Sequence, residues 1–524
     1  MSKPSFRKNT IVRKPTKGER LDVLLVYPPW VVGKARGELQ RMLPPLGILS
    51  IASMLEKAGY EVQILDAHAE KAGPKKFVDI IKALNPRFIG ISVLSAHFIV
   101  ANHMADLAKQ HVPDAMVIAG GVHAEAHPEE MLQNPFIDVV VRGDGEQTML
   151  DLVKGLPHES IPGLSHRVDN QVVNNRAREM TMDLDEFPMP AYHLIDFDNY
   201  FPPAASYKDL PAMNMLMTRG CPGKCTFCNS AKTVLRNRSV ESMIELIKML
   251  RYDYGVRQIY FYDDTFTANR KNVIAFCELM IEQKIDVSWI CYVRGDMFSE
   301  ELAELMAKAG CHQVLIGVES GSQTLMAKIG KPIDVNKYKA TVERAHRHGM
   351  EVRASFIIGH EEETAETMQE TVDFAKWMDV DLFQLNVMTP YPGTQLFKEL
   401  KLEGKLIHEE YHRYGQNEIV FRLKNIEHQE VYAFEKEAFR QFYLRPSAIF
   451  RQLKRLRNIH MLKDLFTVFT LTFLNFGKDG ANDWDKWLDY DLEKHRLKDI
   501  ETPSEPNLTY VLRQNFDLEK DEAI

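Results

Sequence analysis

Short β-rich runs alternate with stretches of helical periodicity along most of this chain, and the alternation falls into two blocks. In the first block, strands are predicted at residues 21–27, 61–65, 88–94, 115–119 and 139–142. Helices are predicted between them, at residues 47–58, 75–84 and 99–110. Regular β-α alternation is typical of a parallel sheet that has helices on both faces. We therefore predict an α/β, doubly wound, Rossmann-like domain over residues 21–155.

The second block predicts six further strands, at residues 213–218, 258–262, 287–293, 313–318, 351–358 and 382–388. Helical periods are predicted between them, at residues 240–254, 271–283, 300–309, 335–348 and 365–378. Six β-α units predict an open, partial (β/α)6 barrel over residues 211–400. Its reactive groups are expected at the C-terminal mouth, as in complete barrels.

The rest of the chain lacks this alternation. Residues 1–20 are predicted to form a basic N-terminal arm, and the proline-rich residues 156–210 a linker. Residues 401–524 are predicted to be mainly helical, with helical spacing at residues 432–443 and 448–462. The apolar segment 465–476 is too short to span a bilayer. It is either a buried element or, with the basic helix before it, a surface for a membrane or a hydrophobic substrate.

Charge and cysteine content narrow the class of protein. The net charge of −8 and the pI near 6.2 argue against a general nucleic-acid binder. No apolar segment follows the basic N-terminus, so we do not expect a secretory signal. The chain has six cysteines, three of them in one stretch, which fits a reducing cytoplasm better than a disulfide framework. We predict a cytoplasmic location, with peripheral membrane contact through the C-terminal region as an alternative.

The clustered cysteines are Cys221, Cys225 and Cys228, in the stretch R-G-C-P-G-K-C-T-F-C-N-S. Thiolate is the usual protein ligand of iron–sulfur clusters, so these side chains could hold three irons of a [4Fe–4S] cluster. The fourth iron would keep an open position, which a reactive metal site needs. The alternatives are a zinc site with a distant fourth ligand, or three core cysteines.

This spacing, with Phe227 before the last cysteine, resembles the motif of radical S-adenosylmethionine (radical SAM) enzymes. In that family the open iron is chelated by S-adenosylmethionine, and one electron from the cluster generates a 5′-deoxyadenosyl radical. The resemblance implies three cluster ligands, Cys221, Cys225 and Cys228. The other cysteines, Cys277, Cys291 and Cys311, are expected to be buried structural thiols.

The strand ends of the first block are similar to the cobalamin-binding domain found in a large radical SAM subfamily. The likeness includes residues 43–47 and 66–70 and implies cobalamin contacts at Ser92, Ser95, Gly120, Gly121, Val122, Gly143, Gly145 and Glu146. A Rossmann-like domain without a ligand is the alternative. Methionine-synthase-type domains ligate cobalt through His in Asp-x-His-x-x-Gly after the first strand. Here Asp66-x-His68-x-x-Lys71 follows the second strand and lacks the glycine, so His68 is expected to be a polar loop residue.

Strand ends of the second block resemble the S-adenosylmethionine site of the family. The resemblance implies contacts from Asp263 or Asp264, Glu319, Ser320, Arg353 and Ser355. A carboxylate near the ammonium of S-adenosylmethionine would be a charge-assisted contact, although Asp is also favoured as a helix N-cap. Arg294 and Arg353 are candidates for a carboxylate of substrate or S-adenosylmethionine, with a surface salt bridge as the alternative for each. Residues 359–364 match the family's Gly-x-Pro-Gly-Glu-Thr only at Gly359, Glu363 and Thr364.

Together these resemblances imply a cobalamin-dependent radical SAM enzyme. Most members of the subfamily would transfer a methyl group from methylcobalamin to an unactivated carbon of a small hydrophobic substrate, such as a tetrapyrrole or polycyclic lipid. The first alternative resembles the anaerobic magnesium-protoporphyrin monomethyl ester cyclase. A non-enzymatic iron–sulfur sensor or electron carrier is the alternative from another class. An enzyme of this kind implies an electron donor such as flavodoxin or ferredoxin, and no nucleic acid.

Overall fold

Two parallel sheets organise the chain. The computed structural model describes residues 20–31, 42–203, 205–331, 334–415, 418–455, 462–463, 483–488, 490–494 and 496–497. The first sheet has seven strands, β1 Val23–Tyr27, β2 Val62–Asp66, β3 Phe88–Ser92, β4 Met116–Gly120, β5 Val139–Val141, β6 Leu164–Val168 and β7 Gln171–Asn174. Their order is β2-β1-β3-β4-β5-β6-β7, and β1 to β5 are parallel. The predicted doubly wound sheet is confirmed.

Six helices accompany this sheet, α1 Leu46–Lys57, α2 Pro74–Leu84, α3 Phe98–His111, α4 Val122–Ala126, α5 Pro128–Leu132 and α6 Gly145–Val153. All five residues of β1 are buried, as expected for an apolar strand covered on both faces. In α2 the buried residues Phe77, Ile81 and Leu84 recur at helical spacing. Chain order reverses between β1 and β3, so the C-terminal ends of these two strands form the crevice in which such sheets bind ligands.

The range predicted as a linker contains structure. Residues 164–174 form the antiparallel hairpin of β6 and β7, and β6 pairs with β5. The two strands have only five and four residues, and β6 buries the polar Ser165 and His166 while it exposes Val168, so neither strand shows the usual alternation of buried apolar and exposed polar residues. After the hairpin, the Tyr192 hydroxyl donates to the carbonyl of Asn214, which ties the remaining connection to the second sheet.

The second part of the chain adds eight strands, β8 Ala212–Met215, β9 Thr218–Arg219, β10 Arg236–Asn237, β11 Gln258–Phe261, β12 Ser288–Val293, β13 Cys311–Glu319, β14 Glu351–Ile358 and β15 Leu382–Val387. Six of them form a parallel sheet in the order β15-β14-β13-β12-β11-β8, which is the predicted partial barrel. Its helices are α7 Val240–Lys248, α8 Arg270–Glu282, α9 Glu300–Lys308, α10 Gln323–Lys328, α11 Val335–Arg347, α12 Ala365–Met378 and α13 Gln395–Leu402. The short strands β9 and β10 pair with each other.

The described part of the C-terminal region is helical, as predicted, with α14 His428–Tyr443 and α15 Pro446–Arg455. Helix α14 covers the outer edge of β15. The Tyr443 hydroxyl accepts from the Phe383 N–H (2.9 Å) and donates to the Phe383 carbonyl (2.8 Å). These contacts satisfy backbone groups that an edge strand leaves open. The predicted basic arm up to residue 19, and the apolar segment 465–476, lie outside the described residues.

Within the part of the chain that the structure describes, no helix has both the length and the apolar content needed to cross a membrane.

Candidate active site

The three clustered cysteines lie on one closed loop. This cysteine loop, residues 220–235, joins β9 to β10, whose antiparallel pairing holds its two ends together. Gly220 has φ +97°, and a Cβ there would lie 2.2 Å from the Val234 carbonyl oxygen, so no side chain fits. The Cys221 N–H donates to Thr233 Oγ1 (2.9 Å) and the Lys232 N–H to the Gly223 carbonyl (2.7 Å). The backbone is thus fixed before any cofactor binds.

The cysteines of this loop differ from the other three in exposure. Cys221, Cys225 and Cys228 are half-buried, whereas Cys277, Cys291 and Cys311 are buried, as predicted. Among the described residues, no three His, Cys, Asp or Glu side chains form a site for a single metal ion. In an iron–sulfur cluster each thiolate binds a different iron, so the ligands need not converge on one point. The donor set fits a cluster better than zinc. Burial raises the pKa of the Cys228 thiol to about 11.

Two neighbouring acidic residues have different environments. Asp263 is fully buried and accepts hydrogen bonds from the backbone of Met217 (3.1 Å) and from the N–H (2.5 Å) and hydroxyl (2.7 Å) of Thr218. Burial raises the pKa of Asp263 to about 6. Asp264 is exposed, and its carboxylate lies against Ser230 and the backbone of Gly220, both in the cysteine loop. Of the two, only Asp264 is exposed, so it is the better candidate for contact with a ligand.

The two predicted arginines, Arg294 and Arg353, lie in different places. One Nη atom of Arg294 lies 3.5 Å from the position of a Cβ at Gly223, beside Cys221, while Asp296 accepts from its Nε (3.0 Å) and other Nη (2.9 Å). Arg353 instead donates to Ser206, in the connection before β8. Arg294 is therefore the arginine next to the cysteine loop, whereas Arg353 is turned toward the connection.

Glu319 ends β13 in a strained conformation beside the cysteine loop. Its φ is +70°, rare for a residue with a side chain, and the register of β13 against β14 shifts there. Lys331 Nζ donates to Glu319 Oε1 and to the Gly317 carbonyl, both at 2.7 Å. A Cβ at Gly317 would lie 2.5 Å from Glu319 Oε1, so the glycine makes room for this pair. Cys225 is close enough for the Lys331 and Glu319 charges to affect its pKa, which burial raises.

At the crevice of the first sheet, buried polar atoms lack partners. Trp30 follows β1, His97 follows β3 and His123 follows β4. Trp30 Nε1, His97 Nε2 and His123 Nε2 have no hydrogen-bond partner among the described residues. Burial lowers the pKa of His97 to about 3 and that of His123 well below its usual value, so both rings are neutral. Buried polar groups are nearly always paired, so these atoms are candidate contacts for a polar ligand at this edge of the sheet.

The segment before α1 contacts the inner face of the second sheet. Leu43, from the segment before α1, packs with Tyr260, Ile290 and Leu315 inside the barrel. The Asn214 side chain of β8 donates to the Pro44 carbonyl (2.9 Å). Burial raises the pKa of the Tyr262 hydroxyl, and Tyr292 and Tyr27, which lies at the end of β1, raise it further because they are close. The contact between the two sheets is therefore formed mainly by aromatic and aliphatic side chains.

Comparisons with known proteins agree with this geometry. A B12 binding domain model matches residues 34–153, and a radical SAM superfamily model matches residues 215–375. An uncharacterized methyltransferase of Pyrococcus horikoshii is 34% identical over 445 residues, which cover 83% of this chain and 95% of the relative. The chain belongs to the cobalamin-binding radical SAM enzymes.

Two further relatives of this family are informative. The anaerobic magnesium-protoporphyrin IX monomethyl ester cyclase of Cereibacter sphaeroides is 27% identical, over 81% of this chain and 71% of its own. The solved structure of the radical S-adenosylmethionine methyltransferase TsrM from Kitasatospora setae, with cobalamin and a [4Fe–4S] cluster bound, superposes with a TM-score of 0.64. It covers 90% of this chain and 98% of its own at 18% identity, which shows a common fold.

The family assigns three cofactors to this radical SAM enzyme: a [4Fe–4S] cluster, S-adenosylmethionine and cobalamin. The residues present fit them. Three thiols on a preformed loop suit the cluster, and orphaned polar atoms at the sheet crevice suit cobalamin, which carries many polar groups.

Several predicted contacts have other partners. Glu146, predicted as a cobalamin contact, is buried against Arg219 and Ser50, each of which donates to its Oε1 at 2.6 Å. Ser320, predicted to contact S-adenosylmethionine, is buried against Thr371. Like Asp263 and Arg353, these side chains are already hydrogen-bonded to other residues of the protein. The prediction did not foresee this, because burial and long-range contacts are not visible in a motif.

The remaining predicted cobalamin contacts line the same edge of the sheet. Ser95 is hydrogen-bonded to His123 (3.2 Å). Gly121 has φ +93°, and a Cβ there would lie 3.0 Å from the backbone of Val93, so the fold alone requires this glycine. Ser92, Gly120, Val122, Gly143 and Gly145 lie at or just beyond the ends of β3, β4 and β5. His68 Nδ1 accepts from the Trp30 N–H (3.2 Å), which is the polar loop contact expected of it.

Sequence reasoning missed two residues of the candidate site, Lys331 and His97, which match no motif that we used. Trp30 and His123 belong to strand-end segments that resemble the cobalamin domain, but neither was predicted as a contact. The tryptophan directly after the first predicted strand was the one available signal, because large side chains at strand ends of such sheets face the ligand crevice.

Proposed function

We propose that this enzyme methylates an unactivated carbon of a small hydrophobic substrate, of the tetrapyrrole or polycyclic lipid type. The observation that supports this substrate class is the apolar contact region between the two cofactor-binding edges, where Leu43, Tyr260, Ile290 and Leu315 pack together. Tyr292 adjoins this region, with its ring centre 6.4 Å from that of Tyr260, and remains 38% exposed. Binding sites with an apolar lining hold apolar ligands mainly through burial, with a few polar groups fixing orientation.

Different side chains around the cysteine loop bind different groups of S-adenosylmethionine. Cys221, Cys225 and Cys228 hold three irons. Asp264 accepts from the amino group, and the Nη atom of Arg294 that does not bind Asp296 donates to the carboxylate, because hydrogen bonds between opposite charges are the strongest ones available there. Glu319 accepts from the ribose hydroxyls, and Ser355 lines the barrel below them, where it accepts from Asn386 (3.2 Å).

When bound, the cofactors supply a radical that takes hydrogen from carbon and a methyl group for the carbon centre that results. The chain's own part is to keep water away from the reacting groups and to orient the substrate carbon. The first electron comes, we propose, from a flavodoxin or ferredoxin that approaches the exposed side of the cysteine loop at Lys224.

Oxidative ring closure is the second candidate function. It is favoured by the similarity to the Cereibacter sphaeroides cyclase, which extends over 81% of this chain. Both candidates need the same cofactors and an apolar binding region.

Products of S-adenosylmethionine distinguish the two. We expect the enzyme, reconstituted without oxygen with hydroxocobalamin, reductant and a hydrophobic extract, to release S-adenosylhomocysteine and 5′-deoxyadenosine together. Turnover that yields 5′-deoxyadenosine alone would favour the cyclase. Purified protein that takes up no cobalamin, with no corrin absorbance, would contradict both.

A peripheral membrane contact is proposed for α15. Its residues Phe450, Leu453 and Ile449 are 60%, 55% and 44% exposed, and the Lys454 ammonium lies 4.5 Å from the Phe450 ring centre. Apolar side chains interleaved with cations are typical of helices at anionic lipid surfaces.

We expect the protein to sediment with vesicles that contain anionic phospholipid and to be released by salt. The double variant F450D/L453D should bind at least about tenfold more weakly, since burial of each side chain is worth about 2 kcal/mol. L402D, at a residue of α13 that is 78% exposed, is the control and should bind as the wild type does. Equal binding by all three proteins would refute the contact.

A further inference from the structure

Four charged side chains join the cysteine loop to the first sheet. Arg219, directly before the loop, donates to Asp144 Oδ1 (3.2 Å) and to Glu146 Oε1 (2.6 Å). Arg236, directly after the loop, also pairs with Asp144. The two acidic residues belong to the turn and first residues of α6, beyond the end of β5. We call Arg219, Arg236, Asp144 and Glu146 the interdomain ion cluster.

The ion cluster is well shielded from solvent. The exposed fractions of its side chains are 3% for Glu146, 8% for Arg236, 21% for Arg219 and 25% for Asp144. The Arg219 guanidinium also lies over the Phe187 ring, 5.3 Å from its centre. Shielded, bidentate arginine–carboxylate contacts constrain direction as well as distance, unlike pairs of exposed flexible side chains.

Asp144 binds the two arginines instead of capping its own helix. It is the N-cap residue of α6, where Asp normally accepts a hydrogen bond from the first turn of its own helix. Its side chain makes no such bond and instead bridges the two arginines. The sequence thus forgoes about 1 kcal/mol of helix capping in favour of a contact between domains.

The location of the interdomain ion cluster determines which segments of the protein it can position. Its arginines are the two residues that flank the cysteine loop, through β9 and β10. Asp144 stands between Gly143 and Gly145, two of the predicted cobalamin contacts. Each end of the interdomain ion cluster is therefore within one or two residues of a candidate cofactor-binding segment.

We propose that the interdomain ion cluster is a positioning device that sets the distance and angle between cobalamin and the S-adenosylmethionine on the iron–sulfur cluster. This inference rests on the proposed function. The four residues bind one another, and in this proposal they act by holding the two loops that would contact the cofactors. Misplacement of reacting groups by about 1 Å costs on the order of 100-fold in rate, so such a device has a direct effect on methyl transfer.

The test measures position without turnover. The protein is loaded with its cluster in the oxidised, diamagnetic state, with Co(II) cobalamin and with S-adenosylmethionine labelled with ¹³C in its methyl group. Electron–nuclear double resonance then reports the coupling between the Co(II) electron and the labelled carbon, which falls steeply with their separation. In the wild type we expect one resolved coupling.

Two variants test the interdomain ion cluster. R219M leaves the buried Glu146 without its cation and is the stronger perturbation. D144N keeps the shape of the side chain at a more exposed position, so it remains informative if R219M does not fold. In both we expect a smaller and broader coupling, with iron and cobalamin contents unchanged. The ratio of S-adenosylhomocysteine to 5′-deoxyadenosine under reduction should fall about tenfold or more.

R178M is the matched control, because Arg178 pairs with Asp151 at 2.5 Å, with 20% and 14% exposure, on the first-domain side. It should lower thermal stability and leave the coupling as in the wild type. A coupling that is unchanged in both R219M and D144N, or that R178M reduces equally, overturns the inference. Wild-type protein that binds no cobalamin overturns the proposed function instead.

Discussion

Replacing Cys225 with alanine should abolish both the iron–sulfur absorbance and the formation of 5′-deoxyadenosine. The remaining thiols, Cys221 and Cys228, cannot hold three irons, so the cluster is lost or becomes unstable. No other described cysteine can replace Cys225, because Cys277, Cys291 and Cys311 are buried in α8, β12 and β13. The measurement is iron content, visible absorbance and product analysis after anaerobic reconstitution.

Cys277→Ala is the control for this result. Its thiol is buried on α8, and its loss should cost about 1 kcal/mol of stability with the cluster intact. Cys225→Ala protein that still forms 5′-deoxyadenosine at the wild-type rate would disprove the assignment of the loop.

Asp264→Asn should weaken the binding of S-adenosylmethionine by about 10- to 100-fold, because a charge-assisted hydrogen bond is worth about 1.5–3 kcal/mol. Asp263→Asn, one residue away, should have the opposite effects: it should lower the stability of the protein and leave the binding of S-adenosylmethionine unchanged. An amide at position 263 would turn a donor toward the N–H groups of Met217 and Thr218, so it should lower the melting temperature and cost about 1–3 kcal/mol of stability.

The pair of variants contains its own control, since both remove one negative charge from the same turn. Equilibrium binding of S-adenosylmethionine to the cluster-loaded protein and thermal unfolding of both variants distinguish the two roles. If Asp263→Asn impaired binding and Asp264→Asn left it unchanged, our assignment of the two residues would be reversed.

Motifs and periodicity predicted the architecture well but the connection poorly. The strands of both sheets are apolar runs bounded by turns, so their existence follows from local composition. The hairpin of β6 and β7 was missed because its strands are short, β6 buries polar side chains instead of apolar ones, and β6 is held in place by pairing with β5. Pairing of this kind is a tertiary event with no local pattern.

The candidate site shows the same limit at single residues. Asp263 and Asp264 are equivalent in a motif, and only burial beneath Met217 and Thr218 distinguishes the structural residue from the exposed one. Glu146 follows a glycine-rich strand end, as a ligand contact would, but Arg219 reaches it from 73 residues away in the sequence.

The sequence by itself determined the cofactor chemistry, because three cysteines at fixed short spacing already make a ligand set once the chain turns between them. It also determined the two parallel sheets, because hydrophobic alternation is a local property. Only the tertiary structure decided which carboxylates remain free, which arginine reaches the cysteine loop, and how Asp144 joins the two cofactor-binding segments. Desolvation and pairing between distant residues set these roles, and neither can be read from neighbouring positions in a chain.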